Sequence, residues 1–566
     1  MKNILLVGLL LLTSFYIKAQ DPQRYDVVID ELFPDPLPSV GLPASEFIEL
    51  KNISGTAYNL TAWKLSNGSS TANIPSFVLQ PDSFVIVCSK SAAPLFPATA
   101  IGVNNFPSLN NDGDILFLLS PQNRVVHAVH YSSKWYGNEL KKEGGWTLEM
   151  IDCKNPCSGQ SNWKASINAK GGTPGFENSV ASVNPDNIAP QLMHAFAADS
   201  ANIILEFSEP LDSIQGATAL NYSLSDGIGS PAEATAVPPV FDHVNLHLNS
   251  SIPANKVYTV TATNVGDCKG NKITAHNAAR FGLPSPADTF DVVINEILFH
   301  PDAGGVDYVE LYNRSQKIFD ISHFYLANRN NTGVISSIVK LKDERRLFFP
   351  GDFILLTENT GIVQQEYISG DPGVFEQLDK MPSFPNDKGD VIVLNEQGNI
   401  VDEVKYNDKW HFQLISNTEG VALERIDYNA PSSQNNFHSA ATSAGYGTPG
   451  TKNSQHKIDQ QFTGQVSINP EIFSPDNDGF DDFLTIEYNF PATGYVANIS
   501  IFDVNGRPVR YLQRNALSGT KGSYRWDGLG EKQQQLPQGI YIVFTEIFNA
   551  AGNKSQFKNT VVLARK

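Results

Sequence analysis

Short apolar segments alternate with polar turns along most of this chain, and long runs of helix-forming residues are hard to find. Residues 84–88 (FVIVC), 115–119 (ILFLL) and 353–356 (FILL) are typical of these segments, and proline, aspartate or glycine residues bound them. Apolar runs of this length between turn residues indicate buried strands. Together with the abundance of glycine (42 residues) and proline (34 residues), the pattern predicts an all-β fold built from sandwiches.

Apolar and polar side chains alternate in residues 47–51 (FIELK). The two-residue period of a strand sends Ile48 and Leu50 to one face and Glu49 to the other. Residues 308–312 (YVELY) repeat this alternation later in the chain. We therefore expect strands with one packed face and one wetter face.

Two long segments of the chain repeat each other. Their shared motifs occur in the same order, at residues 26–33 and 291–298, 46–52 and 307–313, 126–131 and 401–406, 148–152 and 423–427, and 172–175 and 447–450. A chain of 566 residues is expected to form roughly four domains. The repeat shows that residues 25–180 and 290–455 are two copies of one of them, called here the first copy and the second copy.

The motifs of the first copy resemble those of the lamin-tail domain, an immunoglobulin-like β-sandwich. The matching residues are 29–32 (IDEL), 47–52 (FIELKN) and 60–65 (LTAWKL), in which Ala62 replaces the glycine usual in the family. The second copy is more diverged, because it has His323 at the glycine position and Phe324 in place of the tryptophan. The resemblance implies two immunoglobulin-like sandwiches and says little about function.

A different unit, residues 187–284, lies between the copies. Its segments 202–211 (NIILEFSEPL), 257–262 (VYTVTA) and 266–271 (GDCKGN) resemble the strands and glycine turn of a bacterial Ig-like domain. The whole chain is therefore predicted to be a series of tandem immunoglobulin-like β-sandwiches.

The last unit comprises residues 464–566. Asn505 and Gly506 follow an alternating strand and favour a two-residue type I′ hairpin turn, in which both residues have positive φ. Residues 526–528 (WDG) and 538–543 (QGIYIV) resemble the small Ig-like domain of flagellar hook-capping proteins and the C-terminal sorting domain of type IX secretion cargo. The second resemblance implies export, attachment at the cell surface and contact with secretion machinery.

Residues 1–19 are predicted to be a signal peptide. Lys2 is followed by an apolar stretch, and Ala19 offers a small residue for cleavage. No later segment is apolar enough to span a membrane, so the mature chain is expected outside the cell or on its outer surface. The sequence holds 41 Lys and Arg against 59 Asp and Glu, a net charge of −18, which excludes nucleic acid as an expected partner.

An acidic loop in the last unit is a candidate metal site. Asp476, Asp478, Asp481 and Asp482 surround a glycine, and Ca²⁺ prefers oxygen ligands from such loops. The alternative is a solvated turn whose aspartates cap backbone amides. A structural Ca²⁺ is the one metal that the sequence suggests, and no other cofactor is required.

Other residues could carry chemistry or binding. The repeated glutamates Glu31 and Glu296, and Glu49 and Glu310, could be read as acid–base pairs, but a structural role is favoured because they lie on a repeated strand framework. The paired tryptophans are candidate ligand-binding rings, and the alternative is that each closes one end of its sandwich. These tryptophans are Trp135 and Trp410.

The cysteines do not form a disulfide scaffold. Cys153 and Cys157 are close enough in sequence to pair, and we expect a disulfide between them. We expect Cys88 and Cys268 to be buried singly. No cluster of further ligands accompanies the close pair, which argues against zinc.

These observations favour a secreted or cell-surface, non-catalytic protein that works in binding or adhesion to an extracellular protein or glycan. No H-E-x-x-H, G-x-S-x-G, P-loop or G-x-G-x-x-G motif occurs. One alternative is an exported hydrolase or an accessory subunit of nuclease or phosphatase type, since related modules accompany such enzymes. Another is a carbohydrate-binding surface protein that uses the paired tryptophans.

Overall fold

The computed structural model describes residues 21–96, 98–413, 415, 417–456, 464–550 and 553–565. The predicted signal peptide, residues 1–19, lies outside them. The chain divides into two compact units, Met1–Ser251 with Tyr258–Phe281, and Ile252–Val257 with Gly282–Lys566. Each unit is made of strands joined by turns and short helices, which confirms the predicted all-β fold of tandem Ig-like sandwiches.

The first copy is a sandwich of a six-stranded and a four-stranded sheet. The larger sheet has the order Trp163–Ala165, Leu148–Met150, Val27–Phe33, Phe47–Asn52, Phe84–Ser89 and Ala100–Val103, and the smaller has Val125–Ser132, Gly113–Leu119, Lys64–Ser66 and Thr71–Asn73. The remaining elements are strands Tyr58–Asn59 and Val78–Leu79, helix Glu139–Lys142 and the 3₁₀ turns Ala93–Leu95, Ser133–Tyr136 and Gly159–Asn162. Side chains such as Leu50, Leu65 and Leu118 fill the core between the sheets.

The residues of the central unit form a smaller sandwich beside the first copy. Its sheets have the orders Leu192–Ala197, Asn202–Phe207, His243–His247 and Glu233–Ala236, and Tyr222–Leu224, Tyr258–Ala262 and Ala278–Phe281. Helix Ser213–Gly216 and the 3₁₀ turn Ala219–Asn221 connect them. Alternate residues of Asn202–Phe207 are buried, as the two-residue period requires.

The second copy repeats the architecture of the first. Its six-stranded sheet has the order Phe375–Gln377, Phe353–Thr357, Tyr308–Asn313, Val292–Leu298, Leu423–Arg425 and Phe437–Ser439, and its four-stranded sheet has Ile335–Lys340, Phe324–Arg329, Lys388–Asn395 and Ile400–Asn407. Its other elements are strands Phe319–Asp320 and Leu347–Phe348, helix Thr360–Glu366 and the 3₁₀ turns Ile321–His323, Pro372–Val374, Asp408–Trp410, Gln434–Asn436 and Thr442–Ala444. Both copies have a β-bulge at the same place, after Ile29 and after Ile294.

The C-terminal sandwich packs a three-stranded sheet on a five-stranded sheet. The strand orders are Gln465–Asn469, Leu484–Asn489 and Lys521–Trp526, and Ile472–Phe473, Lys554–Leu563, Gly539–Asn549, Tyr495–Asp503 and Pro508–Ser518. Trp526 is fully buried in its core. Among the described residues of the chain, no helix combines the length and the apolar character needed to cross a membrane.

The turn at Asn505 and Gly506 differs from the predicted type I′ hairpin. Only Gly506 of the pair has positive φ, at 73°. The Asp503 N–H donates to the Arg507 carbonyl at 2.9 Å, so the loop holds three residues rather than two. The Asp503 carboxylate accepts the N–H groups of Asn505 and Arg507, which stabilises this longer loop.

The expectation of one wetter strand face is wrong for the six-stranded sheets. In Phe47–Asn52 and Tyr308–Asn313, every residue but one is buried, on both faces. Alternation separates the two faces, but it does not determine what covers the face turned away from the core. In this protein the closing segments of each copy cover it.

Candidate functional site

Three glutamates stand side by side on the outer face of each six-stranded sheet. In the first copy, Glu31 pairs in register with Glu49 on one side and with Glu149 on the other. The second copy repeats this row with Glu296, Glu310 and Glu424. All six side chains are fully buried. We call them the first and second glutamate rows.

The segment that closes each copy lies over its glutamate row as a strap. In the first copy, the strap is residues 172–180. The Thr173 N–H donates to Glu31 Oε1 at 2.8 Å, and the Gly175 N–H donates to Glu49 Oε2. A strap that donates backbone N–H groups holds the carboxylates inside the protein and separates them from solvent.

The second strap, residues 447–455, binds its row in the same way. The Thr448 N–H donates to Glu296 Oε1 at 3.0 Å, and the Gly450 N–H donates to Glu310 Oε2 at 2.5 Å. These bonds confirm the structural role predicted for the repeated glutamates. The straps supply the backbone N–H donors, and the neighbouring strand adds the Tyr308 hydroxyl, which donates to Glu296 Oε1.

Burial changes the protonation of the glutamate rows. Desolvation raises the pKa of Glu31 and of Glu424 to about 8, and the hydrogen bonds from the straps only partly offset it. The pKa of Glu310 is raised well above its ordinary value by burial and then by the neighbouring charge of Glu296. The rows therefore bind protons near neutral pH, and the straps leave them no face on which to meet a substrate.

A polar groove on the second copy is a candidate ligand site. It has a volume of about 840 Å³. Its wall includes Trp410, Tyr406, Asn330, Asn331, Gln434, Arg329, Lys388, Lys405, Lys409 and Asp390. Basic side chains thus outnumber acidic ones in the lining of this groove, although the whole chain is strongly acidic.

Two of the lysines that line the groove occur in the second copy alone. In the paired strands of the four-stranded sheet, Lys388 lies opposite Asn407, and Gly113 takes the corresponding place in the first copy. His130 likewise stands where the second copy has Lys405. The two copies therefore share a framework and differ in charge at this surface.

Both predicted ligand-binding tryptophans are half-buried and pack against their cores. The Trp135 ring lies 6.0 Å from that of Trp163, and the Trp410 ring lies 5.9 Å from that of Phe437. Trp410 also lines the groove. A role of either ring in ligand binding remains a prediction.

The structure brings together part of the predicted acidic loop. Carboxylate oxygens of Asp476, Asp478 and Asp482 lie within 4.8 Å of one another, whereas Asp481 is not a member of this group. Asp482 accepts the N–H groups of Asn477 at 2.6 Å and of Gly479 at 2.9 Å. The aspartates therefore cap backbone amides, and calcium binding by the loop remains a prediction.

A second carboxylate cluster, which the sequence did not indicate, lies at the base of the central sandwich. Oxygens of Asp186, Glu209 and Asp267 are within 4.8 Å of one another. Burial, followed by the charges of Asp186 and Asp267, raises the pKa of Glu209 to about 8. Such a cluster can share protons or hold a cation. Its members come from segments far apart in sequence, so no local motif marks them.

The cysteines pair differently from the prediction. Cys157 forms a disulfide with Cys268, with 6.2 Å between their Cα atoms, so the expected Cys153–Cys157 bridge is wrong. Cys153 instead packs against the core of the first copy. Cys88 is buried and unpaired as expected, whereas Cys268 is not.

The docking of the central sandwich on the first copy explains the pairing. Lys269, next to Cys268, donates to the Lys154 carbonyl at 3.0 Å, and Asn271 donates to the Asp186 carbonyl at 3.2 Å. These contacts place Cys268 beside Cys157 across 111 residues of sequence. Closeness in sequence was the wrong signal, because the tertiary contact decides which thiols meet.

Family comparisons match most of the chain. The lamin tail domain matches residues 20–133 and 285–408, a bacterial Ig-like domain matches residues 177–282, and a type IX secretion signal domain matches residues 467–563. Both straps lie beyond the segments that match the lamin tail domain. A comparison with curated proteins finds no match.

Solved structures match at low identity. They include the N-terminal part of the bacterial S-layer protein SbsC (13% identity, 39% of this chain and 44% of that chain, TM-score 0.16) and a DUF4876 family protein from Bacteroides thetaiotaomicron (13%, 34% and 78%, 0.17). Dimeric latent PorU from Porphyromonas gingivalis also matches (10%, 66% and 33%, 0.14). The chain spans 44–55% of the length of the SbsC chains that it matches. TM-scores this low do not define a shared architecture.

The family matches confirm the resemblances to the lamin-tail domain, to a bacterial Ig-like domain and to the sorting domain of type IX secretion cargo. A type IX secretion signal domain at the end of several sandwiches is a mark of a secreted, multidomain surface protein. The chain carries two lamin tail domains, a bacterial Ig-like domain between them and a C-terminal type IX secretion signal domain.

Proposed function

We propose that this protein is a non-catalytic surface protein that binds an extracellular protein or glycan. Its sandwiches act as rigid supports for ligand-binding loops and grooves. The observation that carries the proposal is the complete burial of the two glutamate rows under the straps. All six side chains are fully buried.

Acid–base catalysis would need at least one carboxyl that reaches a substrate. The straps occupy that approach in both copies, and their N–H groups bind Glu31 and Glu296 at 2.8 and 3.0 Å. A glutamate pair in a glycosidase faces a cleft, whereas these glutamates face the protein's own backbone. This arrangement favours a structural role and therefore a binding protein over a hydrolase.

The C-terminal sandwich is proposed to serve export and surface attachment by contact with secretion machinery. Its match to a type IX secretion signal domain supports this assignment. The acidic loop at Asp476 lies in the same sandwich, and a structural Ca²⁺ there would stabilise the domain after export. The loop and the proposed ligand groove belong to different domains.

A carbohydrate ligand is the second candidate, and the groove beside Trp410 favours it. An aromatic ring at the edge of a groove can stack on a sugar, and the amides of Asn330, Asn331 and Gln434 can bind hydroxyl groups. The lysines at 388 and 405 would attract a negatively charged sugar. The groove therefore fits an anionic glycan better than a neutral one.

A glycan array tests this candidate. We expect the full chain to retain uronate or sulfated glycans, Trp410→Ala and Lys388→Glu/Lys405→Glu to abolish retention, and Trp135→Ala to leave it unchanged. Melting curves show whether Trp410→Ala still folds, and the charge reversals give an answer that does not depend on core packing. Retention that survives both changes would exclude the groove as the site.

The proposal of a non-catalytic protein is tested by a panel of esters, phosphates, glycosides and nucleic acids. No turnover is expected. Turnover that disappears when Asp186, Glu209 and Asp267, or the loop aspartates, are changed to amides would replace the proposal with an exported hydrolase.

A further inference from the structure

The two glutamate rows differ at one neighbouring side chain. In the second copy, Asn295 is buried beside its row, and its Nδ2 donates to Glu310 Oε1 at 2.8 Å and to Asn453 Oδ1 at 2.6 Å. A single amide nitrogen thus satisfies two buried oxygen acceptors. In the first copy, the corresponding residue is Asp30, which has no amide nitrogen.

The asparagine of the strap makes the same two bonds beside this position in both copies. Asn178 Nδ2 donates to the carbonyls of Asp30 at 3.0 Å and Met150 at 2.9 Å. The second copy has the same pair of bonds, at 3.1 and 2.9 Å. Gly175 holds Glu49 through Oε2, so the second oxygen of that carboxylate faces the same place as in the second copy. The fold therefore directs the same acceptors to a position that lacks the amide donor.

Three oxygens are left without a partner there. Asp30 Oδ2, Glu49 Oε1 and Asn178 Oδ1 accept no hydrogen bond from the described residues. Their residues are 2%, 0% and 6% exposed. Buried acceptors without a donor are costly, and two of these oxygens belong to carboxylates that repel each other. An electropositive group would resolve both problems.

A path from solvent leads to this position in the first copy. Asp30 and Asn178 line a pocket of about 400 Å³, together with Lys51, Cys153 and Glu177. At the places of Lys51 and Cys153 the second copy has Tyr312 and Tyr428, whose rings stack at 3.9 Å. The tyrosine pair fills the space that is a pocket in the first copy.

We propose that the first lamin tail domain binds a hard divalent cation such as Ca²⁺ through the carboxylates of Asp30 and Glu49 and the amide oxygen of Asn178. Hard cations prefer oxygen ligands, and water in the pocket can complete the coordination. Two carboxylates match the charge of a divalent ion. The cation does in the first copy what the Asn295 amide does in the second.

Protons and the Lys51 ammonium both compete with the cation and weaken its binding. Burial raises the pKa of Asp30 to about 7 and that of Glu49 well above its ordinary value, so protons compete with the cation. The Lys51 ammonium is attracted to Asp30 and Cys153 and lies 4.8 Å from the centre of the Phe84 ring. Its positive charge lowers the affinity of the pocket for a cation.

Calorimetric titration of the full chain with CaCl₂ after treatment with EDTA tests the site. Asp30→Asn introduces the side chain that the second copy already uses, so this variant is expected to fold. It should bind one equivalent of Ca²⁺ fewer than the wild type. It should also be at least as stable as the wild type in EDTA, because the amide supplies the missing donor.

Two further variants separate this site from others. Asp476→Asn/Asp478→Asn changes only the exposed loop and should keep the equivalent that Asp30→Asn loses. Lys51→Met should tighten the binding of that equivalent, a result that also holds if Asp30→Asn fails to fold. The same Ca²⁺ stoichiometry in the wild type and Asp30→Asn, or an affinity unchanged by Lys51→Met, would overturn the proposal. Protons shared by Asp30 and Glu49 would then occupy the position.

Discussion

Arg425 donates through Nη2 to Asp402 Oδ2 at 2.9 Å inside the second lamin tail domain, and both side chains are buried. The same Asp402 oxygen accepts the N–H of Ile294 at 2.8 Å, at the start of the β-bulge. The guanidinium therefore neutralises a carboxylate whose task is to satisfy a buried backbone N–H. Its Nε also donates to the Ile294 carbonyl at 2.7 Å.

The first lamin tail domain satisfies the same N–H without an ion pair. His127 Nδ1 accepts the N–H of Ile29 at 2.9 Å, and Met150 takes the place of the arginine. A neutral imidazole needs no counter-charge, so an apolar neighbour suffices. An aspartate with an arginine (Asp402 and Arg425) and a histidine with a methionine (His127 and Met150) are therefore two alternative ways to satisfy this N–H.

Removing Arg425 should destabilise the second domain, and introducing the methionine–histidine combination of the first domain should restore most of its stability. Arg425→Met leaves Asp402 as a buried carboxylate without a counter-charge and should destabilise the second domain by about 3–5 kcal/mol. Arg425→Met/Asp402→His reproduces the combination found in the first domain and should recover most of the loss. Urea unfolding of the full chain, with Asp402→His as the control, measures both effects. A double variant no more stable than Arg425→Met would contradict the paired roles.

The buried histidine makes the first domain sensitive to acid. Burial lowers the pKa of His127 to about 4, from 6.5 for an ordinary histidine. The folded state binds a proton on His127 less readily than the unfolded state does. The contribution of neutral His127 to the unfolding free energy is therefore complete above pH 6.5 and is lost as the pH falls from 6.5 towards 4. His127→Asn should reduce this part of the pH dependence of the unfolding free energy. Identical acid slopes in the two proteins would argue against a neutral buried imidazole.

The second glutamate row should respond in the opposite direction. Thr448 Oγ1 lies 2.7 Å from Glu296 Oε2 and 2.8 Å from Glu424 Oε1. One hydroxyl carries one hydrogen, so one of these carboxyl groups must be protonated to make both bonds. This agrees with the raised pKa of Glu424, about 8 against an ordinary 4.5.

For Glu424 the folded state holds the proton more tightly than the unfolded state. Its contribution to stability is therefore complete below pH 4.5 and is lost as the pH rises towards 8. Glu424→Gln keeps a donor for Thr448 at all pH values and should remove this loss, so the variant should be the more stable protein at pH 8. Urea midpoints measured between pH 4.5 and 8.5 test this. Parallel profiles for the two proteins would disprove it.

The disulfide predicts a specific thiol pattern. Peptide mapping without reduction should find Cys157 linked to Cys268, and Cys153→Ser should leave this link intact. Cys268→Ser removes a cross-link across 111 residues. It should destabilise the compact unit that contains the first copy and the central sandwich by about 4–5 kcal/mol in the chain-entropy model. A link between Cys153 and Cys157 in the wild type would contradict the structure.

The repeat and the alternation of side chains were sufficient to predict the strands and the series of sandwiches. Residues 84–88, 115–119 and 353–356 lie in strands Phe84–Ser89, Gly113–Leu119 and Phe353–Thr357. The structure also explains why the lamin-tail family usually has glycine at the position of Ala62. Ala62 has a φ of 62°, in the left-handed region that favours glycine. Such local features depend on near neighbours, so the sequence shows them directly.

The candidate sites depend on contacts between residues that are far apart in the sequence. Glu31 meets Thr173 across 142 residues, and Cys157 meets Cys268 across 111. The difference between Asp30 and Asn295 was visible in the repeat. Its consequence could be inferred only from the positions of the strap, the unpartnered oxygens and the pocket around Asp30.

The strand pattern, the repeated domain, the net negative charge and the family of each unit could all be predicted from the sequence, because periodicity, turn residues and short motifs are local features. The covered face of each sheet, the pairing of the thiols and the convergence of the carboxylates became known from the three-dimensional structure. Burial is the physical reason, because it depends on what lies over a side chain and not on the side chain itself. It also determines which acids keep their protons and which position is suited to a cation.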